Sequence, residues 1–553
     1  MINLLENPLY YLDNFQRVLE WIVERYSDLL APEERAFTAQ FPLLPQASRA
    51  LFVRMVMRKG CLFRASKLCY AEIGNTGEAA RPLLQAGWIE ADPLLNLDHL
   101  FELLQKPEIG AIFRLTLPQK SLRKAAQLEA LRAQYPGSQR FSAWCADSGE
   151  HVYDIVGKPL CERLRLIFFG NFHQDWSEFV LSDLGIYKYE KVEFSLSSRG
   201  FRSRCDIDDY IALQRCRERF LAGEPVADVL ADLAACAPGN DWLASRRERL
   251  RFQIGQHLEK LKDWARAFDV YSGCAYPGAR LRAIRVLEKS GQGGLAFEWL
   301  KRAQAAPESE AERQQLLRIA PRLCRKLGHP MAAAAAAPAL QRLDIVLPAP
   351  PGPCFVEGVV RDHLAGPQAP VYYVENMLIN SLFGLLCWRA IFKAIPGAFF
   401  HPFHRGPADL HSADFQRRRA PEFAACLAEL ESEQYRLTIR RNHAEKSGIL
   451  SPFVYWEVLD QPLLELALAC IPALHLKKWF ERILLDIQAN RSGFPDLIQF
   501  WPAERRYNMI EVKGPGDRLQ DNQKRWIDYC AAHGMPVTVC YLEWGFMNDG
   551  ANP

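Results

Sequence analysis

A chain of 553 residues is too long for one hydrophobic core and should divide into several domains. At 49% hydrophobic and 24% charged residues it has the composition of a folded protein, not of a disordered or fibrous one. The net charge of +3 excludes a surface coated in cation, but not a nucleic-acid surface, since binding depends on where Lys and Arg cluster.

No apolar run is long enough to span a bilayer, and the start, Met1 to Asn7, lacks a basic segment followed by an apolar one. Neither membrane insertion nor secretion is expected. The fifteen cysteines are scattered, with no CxxC pair and no Cys/His cluster at zinc spacing, which fits a reducing interior.

Residues 1–82 read as helices, with apolar positions at three- and four-residue intervals from Tyr10 to Leu29 and from Ala47 to Val56. Arg54, Arg58, Lys59, Arg64 and Lys67 add a dense cationic stripe near Phe52 and Phe63. It is either a grip for DNA phosphates or an ordinary solvated face. In residues 83–145 a short helix over Leu97–Leu104 precedes a second, starting at Leu117-Pro118-Gln119 and containing Lys120, Arg123 and Lys124. A helix pair with basic residues opening the second helix is the layout of small DNA-binding SAP modules; the alternative is a helical linker with a charged flank.

Residues 146–354 open with two strand-like pieces, Leu164–Phe169 and Lys191–Leu196, and turn helical from Ile207 to Leu327. Within that stretch Leu258-Glu259-Lys260 with Ala267-Phe268 recurs as Leu287-Glu288-Lys289 with Ala296-Phe297, an offset of 29 residues. Tetratricopeptide-like helix hairpins repeat at about 34 residues and use such small-large packing steps, so a helical scaffold is expected. Arg280, Arg282 and Arg285 lie between the copies, as an anion pocket or as surface arginines. Six alanines, Ala332–Ala337, and a proline-rich turn from Pro348 to Pro353 mark the boundary of a final domain at 355–553.

That domain holds the chemistry. Pro495 presents Asp496 at the head of a strand, Leu497–Phe500, and a return strand runs from Tyr507 to Lys513. Glu511 and Lys513 share one face of that strand while Val512 faces the core. A hairpin would bring Asp496 beside Glu511. Two carboxylates and the Val512 carbonyl then form a hard-oxygen set for one or two Mg²⁺ or Mn²⁺ ions. Such ions are what phosphodiester hydrolysis needs, because charge builds on oxygens that are already anionic. Lys513 has the reach to orient water and steady the phosphate. Upstream, Val374–Phe383 reads as a helix whose Glu375 supplies a third carboxylate. Downstream, a helix from Asp517 to Ile527 offers Gln523 to water or phosphate and Trp526 to the core, before a last strand, Pro536–Leu542.

The segments Gly493-Phe494-Pro495-Asp496-Leu497 and Glu511-Val512-Lys513-Gly514-Pro515, with Gln523 and Trp526, resemble the virus-type replication-repair nuclease domain. With the helix from Glu375 to Trp388, they resemble its form in the Fanconi-anaemia-associated nucleases. The resemblance extends to the helical, SAP-like and tetratricopeptide-like regions. It implies a multidomain chain ending in an α/β domain of the restriction-endonuclease-like PD-(D/E)xK type. It implies a DNA repair enzyme that cuts near 5′ flaps of branched duplex, digests from the 5′ side and helps unhook interstrand crosslinks. Glu375, Asp496, Glu511 and Val512 would hold metal, Lys513 would be catalytic and Gln523 would assist. A pocket for the flap's 5′ phosphate is implied, placed loosely on Arg280 and Arg282. Lacking the long zinc-finger extension of animal members, the chain fits a bacterial, cytoplasmic and nucleoid-associated enzyme, without ubiquitin-dependent recruitment and working as a monomer. Two rivals remain on the residues alone: a four-way-junction resolvase or restriction-type enzyme on the same fold, and a non-enzymatic DNA-binding scaffold.

Overall fold

The computed structural model describes residues 7–545 other than 115, 117–121, 147, 177, 180–186, 331–340 and 351. Lys120 and the alanine run lie outside the described residues. Two compact units emerge, Met1–Tyr187 with Arg199–Ile207 and Lys188–Ser198 with Asp208–Pro553, so the expected boundary at 145 falls inside the first unit.

In the first unit, helices Tyr10–Tyr26 and Gln46–Val56 form where apolar spacing placed them, and Pro32–Gln40 and Thr76–Gln85 add two more. Phe15, Phe37, Phe41 and Phe52 are buried, and Trp88 stacks among them, 4.6 Å from Phe37 between ring centroids. The SAP-like stretch folds as Leu97–Leu103, Lys106–Ile112 and Lys124–Arg132 around Leu95, Leu100, Leu131 and Trp144. The helix Lys124–Arg132 has Arg123 at its N-cap. The expected strand Leu164–Phe169 is instead the end of a helix, Lys158–Phe169. A proline in its first turn and Gly170 at φ 69° closing it explain why. Cys161, Leu164 and Phe168 keep the helical interval on the buried side.

In the second unit the 29-residue offset proves to be a repeated helix hairpin. Asp241–Lys260 pairs with Trp264–Ser272, and Ala279–Lys289 pairs with Gly293–Ala305. Leu258 and Leu287, and Ala267 and Ala296, are buried at matching positions. Lys262 at φ 62° and Gly291 at φ 83° make the same left-handed turn. The next helix, Glu310–Leu327, ties the array to the nuclease domain. Glu310 pairs with Arg482 at 2.6 Å, and Arg318 pairs with Asp521. Lys191–Leu196 forms no strand; Val192 and Phe194 pack on the nuclease core instead, which accounts for their alternation.

Among the described residues, five strands make the nuclease sheet: β1 (Gln341–Pro348), β2 (Val371–Tyr373), β3 (Leu497–Trp501), β4 (Arg506–Lys513) and β5 (Val537–Gly545), in the order β1-β5-β4-β3-β2. The predicted hairpin is present, with Leu497 opposite Ile510, and β5 runs parallel to β4 and β1. β1 joins the sheet ahead of residue 355, where a boundary was expected. Helix α1 (Val356–Leu364) precedes β2, α2 (Leu378–Leu386) follows it, and α3 (Asp521–Ala532) lies between β4 and β5. Val360, Val371, Leu497, Ile510 and Val512 share one core; α2 and Trp526 belong to a second, larger one.

Candidate active site

The end of the β3–β4 hairpin sets the centre. Since Leu497 pairs with Ile510, Asp496 and Glu511 are neighbours, and the backbone N–H of Val512 donates to Asp496 Oδ2 at 2.8 Å. Lys513 returns to the same face, its Nζ 2.7 Å from Glu511 Oε1. Asp496, Glu511 and Lys513 are only 5%, 0% and 8% exposed. Neither carboxylate oxygen of Glu511 receives a well-aligned hydrogen bond; Lys513 Nζ comes within 2.7 Å but off the hydrogen-bonding angle.

A second staple brings in Glu375. Asn376, at φ 53°, accepts the N–H groups of Gly493 (2.7 Å) and Phe494 (3.1 Å) on its Oδ1, while the Val374 N–H donates to the Asp496 carbonyl at 2.8 Å. This left-handed residue stops helix from forming before Leu378, so Glu375 lies in the turn between β2 and α2 rather than on the expected helix. Tyr373 Oη donates to one Glu375 oxygen at 2.7 Å and Asn376 Nδ2 to the other at 3.0 Å. Asn376 is the residue that sequence reasoning passed over; a polar side chain directly after a candidate ligand was the available signal.

The electrostatics fit a cation. Burial, with smaller contributions from the Glu375 and Glu357 charges, raises the Asp496 carboxyl to about 6. Burial and then the Asp496 charge raise Glu511 to about 8, against the pull of Lys513. Among the described residues no three Asp, Glu, His or Cys side chains are drawn into a ready-made metal cage. The two orphaned oxygens of Glu511 are what a divalent ion would satisfy.

Gly493 holds φ 92°, and a β-carbon there would lie 2.8 Å from the Asn522 carbonyl carbon, so the loop before Asp496 sits directly on α3. Gly493→Ala is expected to cost about 1–3 kcal/mol and to slow DNA cutting. Thermal melts and cleavage assays, run side by side, check it; an unchanged melt with full activity contradicts the packing.

The other expected site residues fare unevenly. Gln523 Oε1 accepts the Gln520 N–H at 2.8 Å and caps α3. Trp526 is core, stacked 4.0 Å from Phe494. In the basic stripe, Arg54 is paired with Glu72 and lies over Tyr11, and Arg64 is paired with Glu108 and Glu150. Arg58, Lys59 and Lys67 remain exposed, as does Arg123, while Lys124 Nζ donates to the Leu104 carbonyl at 2.8 Å. Arg280 pairs with Glu312, and Arg282 and Arg285 share Glu259, so the anion pocket imagined there is already supplied with carboxylate. A different group was missed. Arg246 lies over Tyr210 and is held below the usual arginine range by burial and by Arg217 and Arg249, and none of the three has a carboxylate partner among the described residues. Burial, and then the Arg491 and Arg249 charges, hold His411 below the usual histidine range, and the Arg491 carbonyl accepts from Asn380 Nδ2 at 2.8 Å.

Residues 430–544 match the VRR-NUC domain, residues 94–144 the Fanconi anemia-associated nuclease SAP domain, and residues 9–90 the domain described as FAN1, HTH domain. Fold and site together define a nuclease. The chain is 58% identical over 540 residues to the Fanconi-associated nuclease 1 homolog of Pseudomonas aeruginosa, covering 98% of this chain and 97% of that one. It is 25% identical over 616 residues to the homolog of Oryza sativa subsp. japonica, covering 96% of this chain and 62% of the rice protein. The crystal structure of paFAN1 bound to 2-nucleotide 5′-flap DNA with a gap is similar at a TM-score of 0.92 and 57% identity, covering 99% of this chain and all of that one. The chain belongs to the Fanconi-associated nuclease 1 family.

Proposed function

We infer that this nuclease acts on branched DNA, cutting near 5′ flaps and digesting from the 5′ side, in the repair of interstrand crosslinks. The observation that carries the chemistry is Glu511, fully buried with two undonated oxygens, beside Asp496 and Lys513. The choice of substrate is supported by whole-chain likeness to a protein crystallised on flap DNA. Glu375, Asp496, Glu511 and the Val512 carbonyl would hold one or two divalent cations. What bound Mg²⁺ or Mn²⁺ supplies there is neutralisation at the phosphoryl oxygens and a more acidic water. Lys513, rooted on a rigid strand, steadies the scissile phosphate and orients the attacking water. Asn376 holds the Asp496 loop in place.

A junction cannot be chosen by base edges, so phosphate grips on several domains must select it. The exposed Arg58, Lys59, Lys67 and Arg123 suit that task on the first unit. On the second, the arginines without carboxylates, Arg217, Arg246 and Arg249, lead toward Arg491. A bacterial cytoplasm, with the nucleoid as workplace, and a monomeric state complete the reading. No helix among the described residues is long and apolar enough to cross a membrane.

The test is a Mg²⁺ titration on labelled 5′-flap and four-way-junction DNA, beside Asp496→Ala. Cutting should require the cation, favour the flap and disappear in the variant, which still binds DNA. Cation-independent cutting, or full activity in the variant, rejects the assignment; preference for the four-way junction would favour a resolvase.

A further inference from the structure

We propose that the last helix of the scaffold, Glu310–Leu327, sets the position of the loop that carries Asp496, and that Asp521 and Arg482 are its positioning residues on the nuclease domain. The proposal rests on the reading of Asp496 as a cation ligand and gives a role to two residues outside the sequence motif. The loop has no regular structure of its own, since residues 491–496 belong to no helix or strand. Asn376 holds one side of it and α3 supplies the other. The left-handed Gly493 sits on the Asn522 backbone, Trp526 Nε1 donates to the Ser492 carbonyl at 3.2 Å, and Phe494 stacks on the Trp526 ring at 4.0 Å. Asn522 and Trp526 lie about one turn apart on α3, so the loop follows wherever that helix is placed.

The scaffold helix grips α3 twice. Gln314, Gln315 and Arg318 stand at helical intervals on one face, and all three reach Asp521 in the first turn of α3. Gln314 Nε2 donates to the Asp521 carbonyl and Gln315 Nε2 to its carboxylate, each at 3.2 Å, and both terminal nitrogens of Arg318 pair with that carboxylate. Arg525, further along α3, donates back to Gln314 Oε1 at 2.6 Å. The second grip starts at Glu310, which accepts from Arg482 Nη2 at 2.6 Å. The buried Arg482 guanidinium lies over the rings of Tyr529 at 4.1 Å and Trp526 at 4.7 Å. One grip thus ends next to Asn522 and the other on Trp526, the two residues that carry the loop. As glue the first is poor: Arg318 and Asp521 are 48% and 31% exposed, and such pairs add little stability. What a two-pronged ion pair with two amide bonds fixes is direction. Through α3 it fixes where the Asp496 carboxylate stands, and a small displacement of a reacting group costs rate more than affinity.

The experiment uses the full chain and compares wild type, Asp521→Ala, Asp521→Asn, Glu310→Ala and Asp496→Ala. Steady-state cutting of labelled 5′-flap DNA at saturating Mg²⁺ gives kcat and KM, and amide hydrogen exchange without DNA or cation reports on the loop. Asp521→Ala and Glu310→Ala should each lower kcat roughly tenfold with KM unchanged. Exchange of the Gly493 and Phe494 amides should quicken by a similar factor in both, while the sheet exchanges as in wild type. Asp521→Asn keeps an acceptor for Gln315 but loses the ion pair, and should fall between Asp521→Ala and wild type. Wild-type kcat in both Asp521→Ala and Glu310→Ala overturns the proposal, and so does a loss carried by KM alone. Exchange that stays unchanged in the loop, or that quickens across the whole chain as in a protein merely destabilised, overturns it as well. If Asp496→Ala itself cuts like wild type, the reading of the cation site fails. If Asp496→Ala is inactive while the other variants cut normally, only the positioning role fails.

Discussion

Replacing Glu511 by Gln is expected to reduce flap cutting by about 10³-fold or more, while the metal-free protein at pH 7 keeps its stability to within about 1 kcal/mol. The two effects divide because of where the side chain sits. It is wholly buried on β4, its oxygens lack donors, and burial raises its carboxyl to about 8, so the metal-free protein already holds it largely protonated at neutral pH. The amide has the shape and neutrality of that protonated form. It cannot supply the negative oxygen that a cation needs. Mn²⁺ should therefore raise the melting temperature of the wild type but not of the variant, since only a ligand that binds the folded state stabilises it. A variant that cuts normally would remove Glu511 from the reaction. One that unfolds at pH 7 would mean that its charge holds β4 together.

How much of this was visible in the sequence depends on the range of each interaction. The hairpin was legible because period-two alternation fixes which residues share a face, and its register then places Asp496 by Glu511. The helix hairpins were legible because the same packing step recurs 29 residues later. Glu375 was recognised but assigned to a helix, because the left-handed Asn376 depends on N–H groups more than a hundred residues away. Which of the clustered arginines are already paired was hidden for a similar reason. Arg64 finds Glu150 across 86 positions and Arg280 finds Glu312 across 32, and no local pattern announces either partner. β1 does alternate, with Leu343, Ile345 and Leu347 on the core side between exposed neighbours, but it lies between the alanine run and the proline-rich turn, which made the whole stretch read as a linker.

Between about pH 5 and pH 8 the metal-free protein should lose stability, on the order of a few kcal/mol, and Glu511→Gln should lose much less. The sign follows from proton counts. An unfolded chain releases the Glu511 proton near 4.5 and the Asp496 proton near 3.8, whereas the folded protein keeps them to about 8 and about 6. Across that window the folded state binds more protons, so raising the pH favours unfolding; the penalty is complete above the folded value for Glu511. A divalent cation reverses the balance by favouring the ionised carboxylates, and its binding must expel the protons they hold. At pH 7 that is nearly one proton from Glu511 and a small fraction from Asp496; at pH 9 it is close to none. Calorimetry of Mn²⁺ binding in buffers of different ionisation enthalpy measures the release directly. Equal release at both pH values, or a metal-free wild type whose stability tracks that of Glu511→Gln from pH 5 to 8, would show that these carboxyls ionise as exposed acids do and that the buried site is not tuned for a cation.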